Sequence, residues 1–227
     1  MNTPSTNLRF FGLLLFVVFN FACTKNDTVV NNNQIIGSGK LVTQVRSVGS
    51  YSGIQVTNFA KVIITQDTSE QLSIESDDNI INHVVTAVSG GVLMVGLDNG
   101  SYSNVTVNVY ASMKSIKSLE SVGTADFSTT NLVQTDSILC RITGAGTMTL
   151  KGSATFEQVE IIGAGTVHNF DFVAAHCATT ISGSGTVEIN VTSRLDAVIA
   201  GTGSIVYAGS PQSVQQSITG VGSVRPR

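Results

Sequence analysis

The chain of 227 residues has no Trp, 3 Pro, 3 Cys and 3 His, and only 12% of it is charged. Each shortage excludes something. Three cysteines cannot supply the disulfide framework of a small secreted scaffold, and three histidines add little material for a transition-metal site, so no metal or other cofactor is expected. A formal net charge of -3, with no Lys/Arg run to offset it locally, gives nucleic acid no electrostatic footprint. Soluble chains carry roughly 25% charged residues on average, so this surface needs another source of polarity. The 26 Ser and 25 Thr provide it. With 42% hydrophobic residues and so little charge, the chain is not disordered.

The amino terminus reads as a targeting segment. Arg9 and the free amine precede an apolar run from Phe10 to Phe21, closed by Ala22-Cys23. As a helix that run would span about 18 Å, short of the roughly 30 Å hydrocarbon core of a bilayer. It therefore predicts a cleaved signal over 1–22. The cysteine placed after a small residue resembles a bacterial lipoprotein processing site. Asn20 stands where such sites prefer an aliphatic residue, a looser form similar to that of Bacteroidetes lipoproteins. The expected modification is lipidation of Cys23, and the expected partner is the outer membrane of the cell envelope, since several acyl chains at about 0.8 kcal/mol per methylene make a stable anchor. Residues 23–34 are polar and read as a flexible tether. Residues 35–227 read as one folded unit.

The most informative feature of that unit is an internal repeat, Ile-x-Gly-x-Gly-Thr/Ser-aliphatic. It begins at Ile142, Ile161, Ile181, Ile199 and Ile218, with its first glycines at 144, 163, 183, 201 and 220. A degenerate copy, Leu119 to Ala125, is placed 23 residues before the first of these. Ile35 to Leu41 matches the spacing, and Val56 to Val62 matches it with the glycines replaced.

Within each copy, apolar residues alternate with polar or small ones, as in Val187-Glu188-Ile189, the period of a strand with one buried face. Glycines two apart permit positive φ and read as corners between strands. The fold class expected is all-β, a right-handed parallel β-helix (β-solenoid) of about 18–20 residues per coil. The repeated Ile and the repeated aliphatic residue should form two core ladders about 4.8 Å apart per step, in nine or ten coils. Evenly spaced hairpins would return every 8 to 12 residues instead.

Outside the repeats the order of motifs carries a resemblance. Gly37-Ser-Gly39, Val45-Arg-Ser-Val48, Tyr51-Ser-Gly-Ile-Gln-Val56, Leu72-Ser-Ile-Glu75, Asp78-Asn-Ile-Ile81 and Val88-Ser-Gly-Gly-Val-Leu93 precede the Gly-x-Gly copies. This resembles the family called putative auto-transporter adhesin, head GIN domain. The resemblance implies a right-handed β-helix, a lipoprotein or secreted protein of the Bacteroidetes, and a role in adhesion. It implies no catalytic residues.

Catalytic chemistry has to be sought residue by residue. A polysaccharide lyase on such a scaffold needs acidic metal ligands and a Lys or Arg base on one exposed face. The acidic candidates are Asp77, Asp78, Asp98, Asp126, Asp136, Glu157, Glu160, Asp171 and Asp196. Glu157 and Glu160, three apart in a strand, should face opposite sides. Asp77-Asp78-Asn79 reads as a solvated turn. His83, His168 and His176 share no regular offset, and Ser182, between the repeat's Ile181 and Gly183, belongs to a corner and not to a nucleophile elbow. Cys140 and Cys177 fall two coil steps apart, too far for a disulfide, and should be free core thiols. Asp27-Thr28-Val29 and Asp136-Ser137-Ile138 resemble short O-glycosylation signals.

The reading is therefore a non-catalytic, lipid-anchored binding or structural module, acting in adhesion or envelope organisation on a glycan or protein ligand. The alternatives are a carbohydrate-active β-helix enzyme and a scaffold subunit of an envelope complex.

Overall fold

The computed structural model describes residues 34–227. The signal over 1–22, the lipidation site Cys23, the tether as far as residue 33 and the Asp27-Thr28-Val29 signal lie outside the described residues.

The fold is a β-solenoid of about five turns. Its early strands are short: β1 (Gln34–Ile36), β2 (Leu41–Val45), β3 (Gly53–Val56), β4 (Phe59–Gln66), β5 (Gln71–Asp77) and β6 (Val84–Ser89). β7 (Val92–Leu97), β8 (Ser101–Ser103), β9 (Val107–Met113), β10 (Ser118–Ser121) and β11 (Thr124–Thr129) follow. From there the strands lengthen and bend around the corners: β12 (Val133–Thr149), β13 (Gly152–Gly163), β14 (Thr166–Gly183) and β15 (Thr186–Gly201). The last are β16 (Ser204–Ala208), β17 (Ser213–Gly220) and β18 (Ser223–Pro226).

Both expected ladders are present. Ile142, Ile161, Ile181, Ile199 and Ile218 are in register from coil to coil. Met148, Val167, Val187, Ile205 and Val224 are too. All but the last member of each ladder are buried.

The two glycines of each repeat do different work. The first adopts positive φ, 121° at Gly144 and 141° at Gly183, which turns the chain at the corner. Its carbonyl accepts the N–H that follows the corner glycine one coil on, as from Ala164 to Gly144 and from Ser184 to Gly163, each 2.9 Å. The second glycine makes room. A Cβ on Gly165, Gly185 or Gly203 would lie 2.7 Å from the Cγ2 of Ile142, Ile161 or Ile181 in the preceding coil. The ladder isoleucine of one coil thus fills the space that the next coil's second glycine leaves open.

The amino-terminal copies resolve differently. Val56 and Val62 stand in register with Ser121 and Phe127, so that alignment holds. The copy placed at Leu119 is shifted by two residues, because Leu119 pairs with Cys140 and Ser121 with Ile142. Fully buried Ser121 enters the Ile ladder there because its hydroxyl accepts the Ala125 N–H at 3.1 Å. The Ile35 copy is not a coil, since β1 pairs only with β8. Its Gly-Ser-Gly segment docks instead on Asp77-Asp78-Asn79. Gly39 N–H donates to Asp77 Oδ1 at 2.7 Å, Ser38 Oγ to Asp78 Oδ1 at 2.7 Å and Ser38 N–H to Asn79 Oδ1 at 3.0 Å. Asp77 is buried, so this turn is a clamp and not a solvated loop.

The turn count falls short of nine or ten because residues 67–117 do not simply continue the stack. β2 pairs antiparallel with β5, β5 with β9, and β6 with β7. The β6–β7 hairpin closes through Gly90-Gly91, both at positive φ. β7 and β9 then lie parallel beneath β3 and β4, whose other edges carry β10 and β11. Antiparallel strands thereby cover one end of the solenoid.

Candidate functional site

Where that insertion rejoins the stack, four segments meet around an open cleft of about 800 Å³. They are the end of β4 at Gln66, the β9–β10 link at Lys114, Ser115 and Lys117, the start of β12 from Gln134 to Ser137, and β13 from Ser153 to Thr155. Ligand clefts commonly measure roughly 300–1,000 Å³. A second hollow of about 570 Å³ adjoins it, sharing Gln66, Lys114 and Gln134.

Strand alternation sets the chemistry of the walls. Val133 turns inward and is buried, so Gln134 faces out, and Ser153 sits opposite it one rung on. Asp136, Ser137 and Thr155 are exposed nearby. The lining is amide, hydroxyl, ammonium and one carboxylate, with no aromatic ring.

Gln66 ties the walls together. Its Nε2 donates to the carbonyls of Lys114 (3.1 Å) and Gln134 (2.9 Å), and its Oε1 accepts the Gln134 N–H at 2.7 Å. Its own backbone is bracketed by Asn131, whose Oδ1 accepts the Gln66 N–H at 3.0 Å and whose Nδ2 donates to the Gln66 carbonyl at 2.8 Å. Lys117 is fixed through its backbone, donating to Ser52 at 2.7 Å and accepting from Leu139 at 2.9 Å. The cleft is therefore shaped before any ligand arrives.

Of the described residues singled out in the sequence, Asp136 and Ser137 lie in this cleft and the rest do not. Glu157 and Glu160 do face opposite sides. Glu160 takes the Arg141 Nε at 2.7 Å on the surface, and that hydrogen bond holds its carboxyl below the usual range. Glu157 is fully buried, with Asn169 Nδ2 donating to its Oε1 at 2.6 Å, and burial pushes its carboxyl up to about 7. Cys177 approaches the other carboxylate oxygen at 3.9 Å. Cys140 and Cys177 are buried free thiols, and burial raises both well above the ordinary thiol range. His168 Nδ1 meets Glu188 at 2.6 Å on the surface, and Asp98 meets His83 at 3.0 Å and the Tyr102 hydroxyl. Asp196 is held by Arg194 at 2.8 Å. Among the described residues, no three His, Cys, Asp or Glu side chains come together as a metal site would require.

Gln66, Lys114, Lys117, Ser153 and Thr155 were not identified from the sequence. They come from strands and links far apart in the chain, and no spacing rule connects them.

A family model described as putative auto-transporter adhesin, head GIN domain, matches residues 50–211. The fold is similar to that of a putative adhesin from Bacteroides fragilis NCTC 9343, at 23% identity and TM-score 0.71, covering 85% of this chain and 100% of that one. A putative adhesin from Parabacteroides merdae ATCC 43184 is similar at 22% identity and TM-score 0.53, covering 86% and 99%. A putative lipid binding protein from Parabacteroides distasonis ATCC 8503 is similar at 22% identity and TM-score 0.52, covering 86% and 100%. No curated protein sequence matches.

Proposed function

The chain belongs to the putative auto-transporter adhesin, head GIN domain family, and from that premise we propose that it is a non-catalytic binding module carried on a lipid anchor at the cell envelope. The observation that carries the binding role is the preshaped cleft beside Gln66, lined mostly by hydrogen-bonding amides and hydroxyls, with two lysines and one aspartate among them. Such a lining suits a polar ligand held by many modest contacts. Each net hydrogen bond contributes about 0.5 to 1.5 kcal/mol. With no ring to stack a sugar, one cleft alone binds weakly, and many anchored copies bind together by avidity.

Support for the anchor comes from the apolar run ending in Ala22-Cys23. Residues 1–22 are the signal in this reading, Cys23 carries the lipid at the outer membrane, 23–34 tether the head, and 35–227 are the head domain. A Cys23→Ala chain should lose acyl labelling and leave the membrane fraction.

The binding role is tested with the soluble head, singly and clustered on beads, against glycan-coated and protein-coated surfaces. The single copy should bind no tighter than high micromolar and the clustered form detectably. Nanomolar binding by the single copy, or turnover of a polysaccharide that survives purification, would overturn the reading.

A further inference from the structure

We propose that the cleft at Gln66 takes an acidic polysaccharide, read through carboxylates by Lys114 and Lys117 and through hydroxyls by the walls. The inference rests on the binding role proposed above and adds the chemical class of the ligand.

Cations are scarce in this protein, and where they stand is informative. Five lysines fall within residues 34–227: Lys40, Lys61, Lys114, Lys117 and Lys151. Among the described residues only Lys40 has a carboxylate within 4 Å, Asp78 at 3.3 Å. Two of the remaining four line the same cleft, three residues apart, on a link whose backbone is held by Gln66, Ser52 and Leu139. An ammonium pair left free on a fixed frame offers two anchoring points without the cost of ordering a loop.

The other wall selects for sugar. Gln134, Ser137, Ser153 and Thr155 present donors and acceptors together, matching hydroxyls that do both. An acidic peptide would leave them unmatched along its apolar side chains. Asp136 refines the class further. Its carboxylate accepts hydroxyls but repels a polymer bearing charge on nearly every group, so a ligand with one carboxylate per sugar fits better than a densely sulfated one.

The test uses the full mature chain, clustered on beads, against surfaces coated with alginate, dextran, dextran sulfate or protein. The expected result is alginate binding above dextran and dextran sulfate, weakening as salt rises. A Lys114→Gln/Lys117→Gln chain should lose about tenfold in apparent affinity for alginate while melting like the parent. Lys61→Gln should bind as the parent does, and Asp136→Asn should gain on dextran sulfate.

Equal binding of alginate and dextran, stronger binding of dextran sulfate, or indifference to the paired lysine change would overturn the assignment. If the beads hold dextran or a protein surface regardless of the lysines, the acidic ligand is wrong and the adhesive role stands. Should they hold none of these surfaces, both fail.

Discussion

Replacing Glu157 by glutamine tests the energetics of the core most directly. The carboxyl lies in register between Ile138 and Cys177, fully buried, with the Asn169 amide as donor and the Cys177 thiol nearby. Asn169 is itself fixed, because its Oδ1 accepts the Leu150 N–H at 3.0 Å. Burial raises the carboxyl from 4.5 to about 7. The folded state therefore keeps a proton that the unfolded chain releases between those values. Stability from this group is complete below pH 4.5, falls as pH rises toward 7 and is flat above. At 1.36 kcal/mol per unit the loss is about 3 kcal/mol across that window. The replacement amide keeps an oxygen for Asn169 and carries no charge, so Glu157→Gln should match the parent near pH 4.5 and exceed it by up to about 3 kcal/mol at about pH 7.5. Urea denaturation of both chains at half-unit pH steps reads this, and taking the difference between the chains removes contributions that the substitution leaves unchanged. A difference that does not change with pH would refute the reasoning.

Other expectations follow from the ladders. Ile161→Asp places an unpaired charge between Ile142 and Ile181 and should lower stability by several kcal/mol in a melting experiment, whereas a near-native melt would sink the register. Gly183→Ala forces a φ of 141° on a side chain driven into the Gly163 carbonyl and should cost about 1–3 kcal/mol or more. Gly185→Ala presses on Ile161 Cγ2, so its cost should shrink by more than about 1 kcal/mol when Ile161→Ala is already present; additive costs in that cycle would contradict the space-sharing between coils. Cys140 and Cys177 should resist alkylation in the native protein and both react in denaturant without reductant, as read by intact mass.

The repeated coils were legible because every rung presents the same demand to the same position. Ile-x-Gly recurs where a β-branched side chain must fill the space above a corner, and five close copies set both ladders without ambiguity. Ser121 hid its own copy, because one buried hydroxyl with a local N–H donor does the job of an isoleucine, and pattern matching then slid to Leu119. Gly37-Ser-Gly39 misled for the opposite reason. Gly37 answers to close approach against Asn104 and Asp77 and Gly39 to a positive φ of 76°, two demands that happen to share the corner's spacing. The Gly90-Gly91 turn was a readable hairpin signal that the solenoid period obscured. The cleft could not be read at all. Gln66 reaches Lys114 and Gln134 only because the intervening strands fold back beneath β3 and β4, a placement that no local pattern encodes.

That folding back also separates two parts of the molecule along the sequence. Residues 34–113 supply β3, β4 and everything beneath them, so the closed end is encoded ahead of the first regular coil. From β10 onward each winding pairs only with its neighbours. Length becomes a modular property, because a winding gained or lost beyond β13 changes how far the rod extends while leaving the base and the cleft untouched.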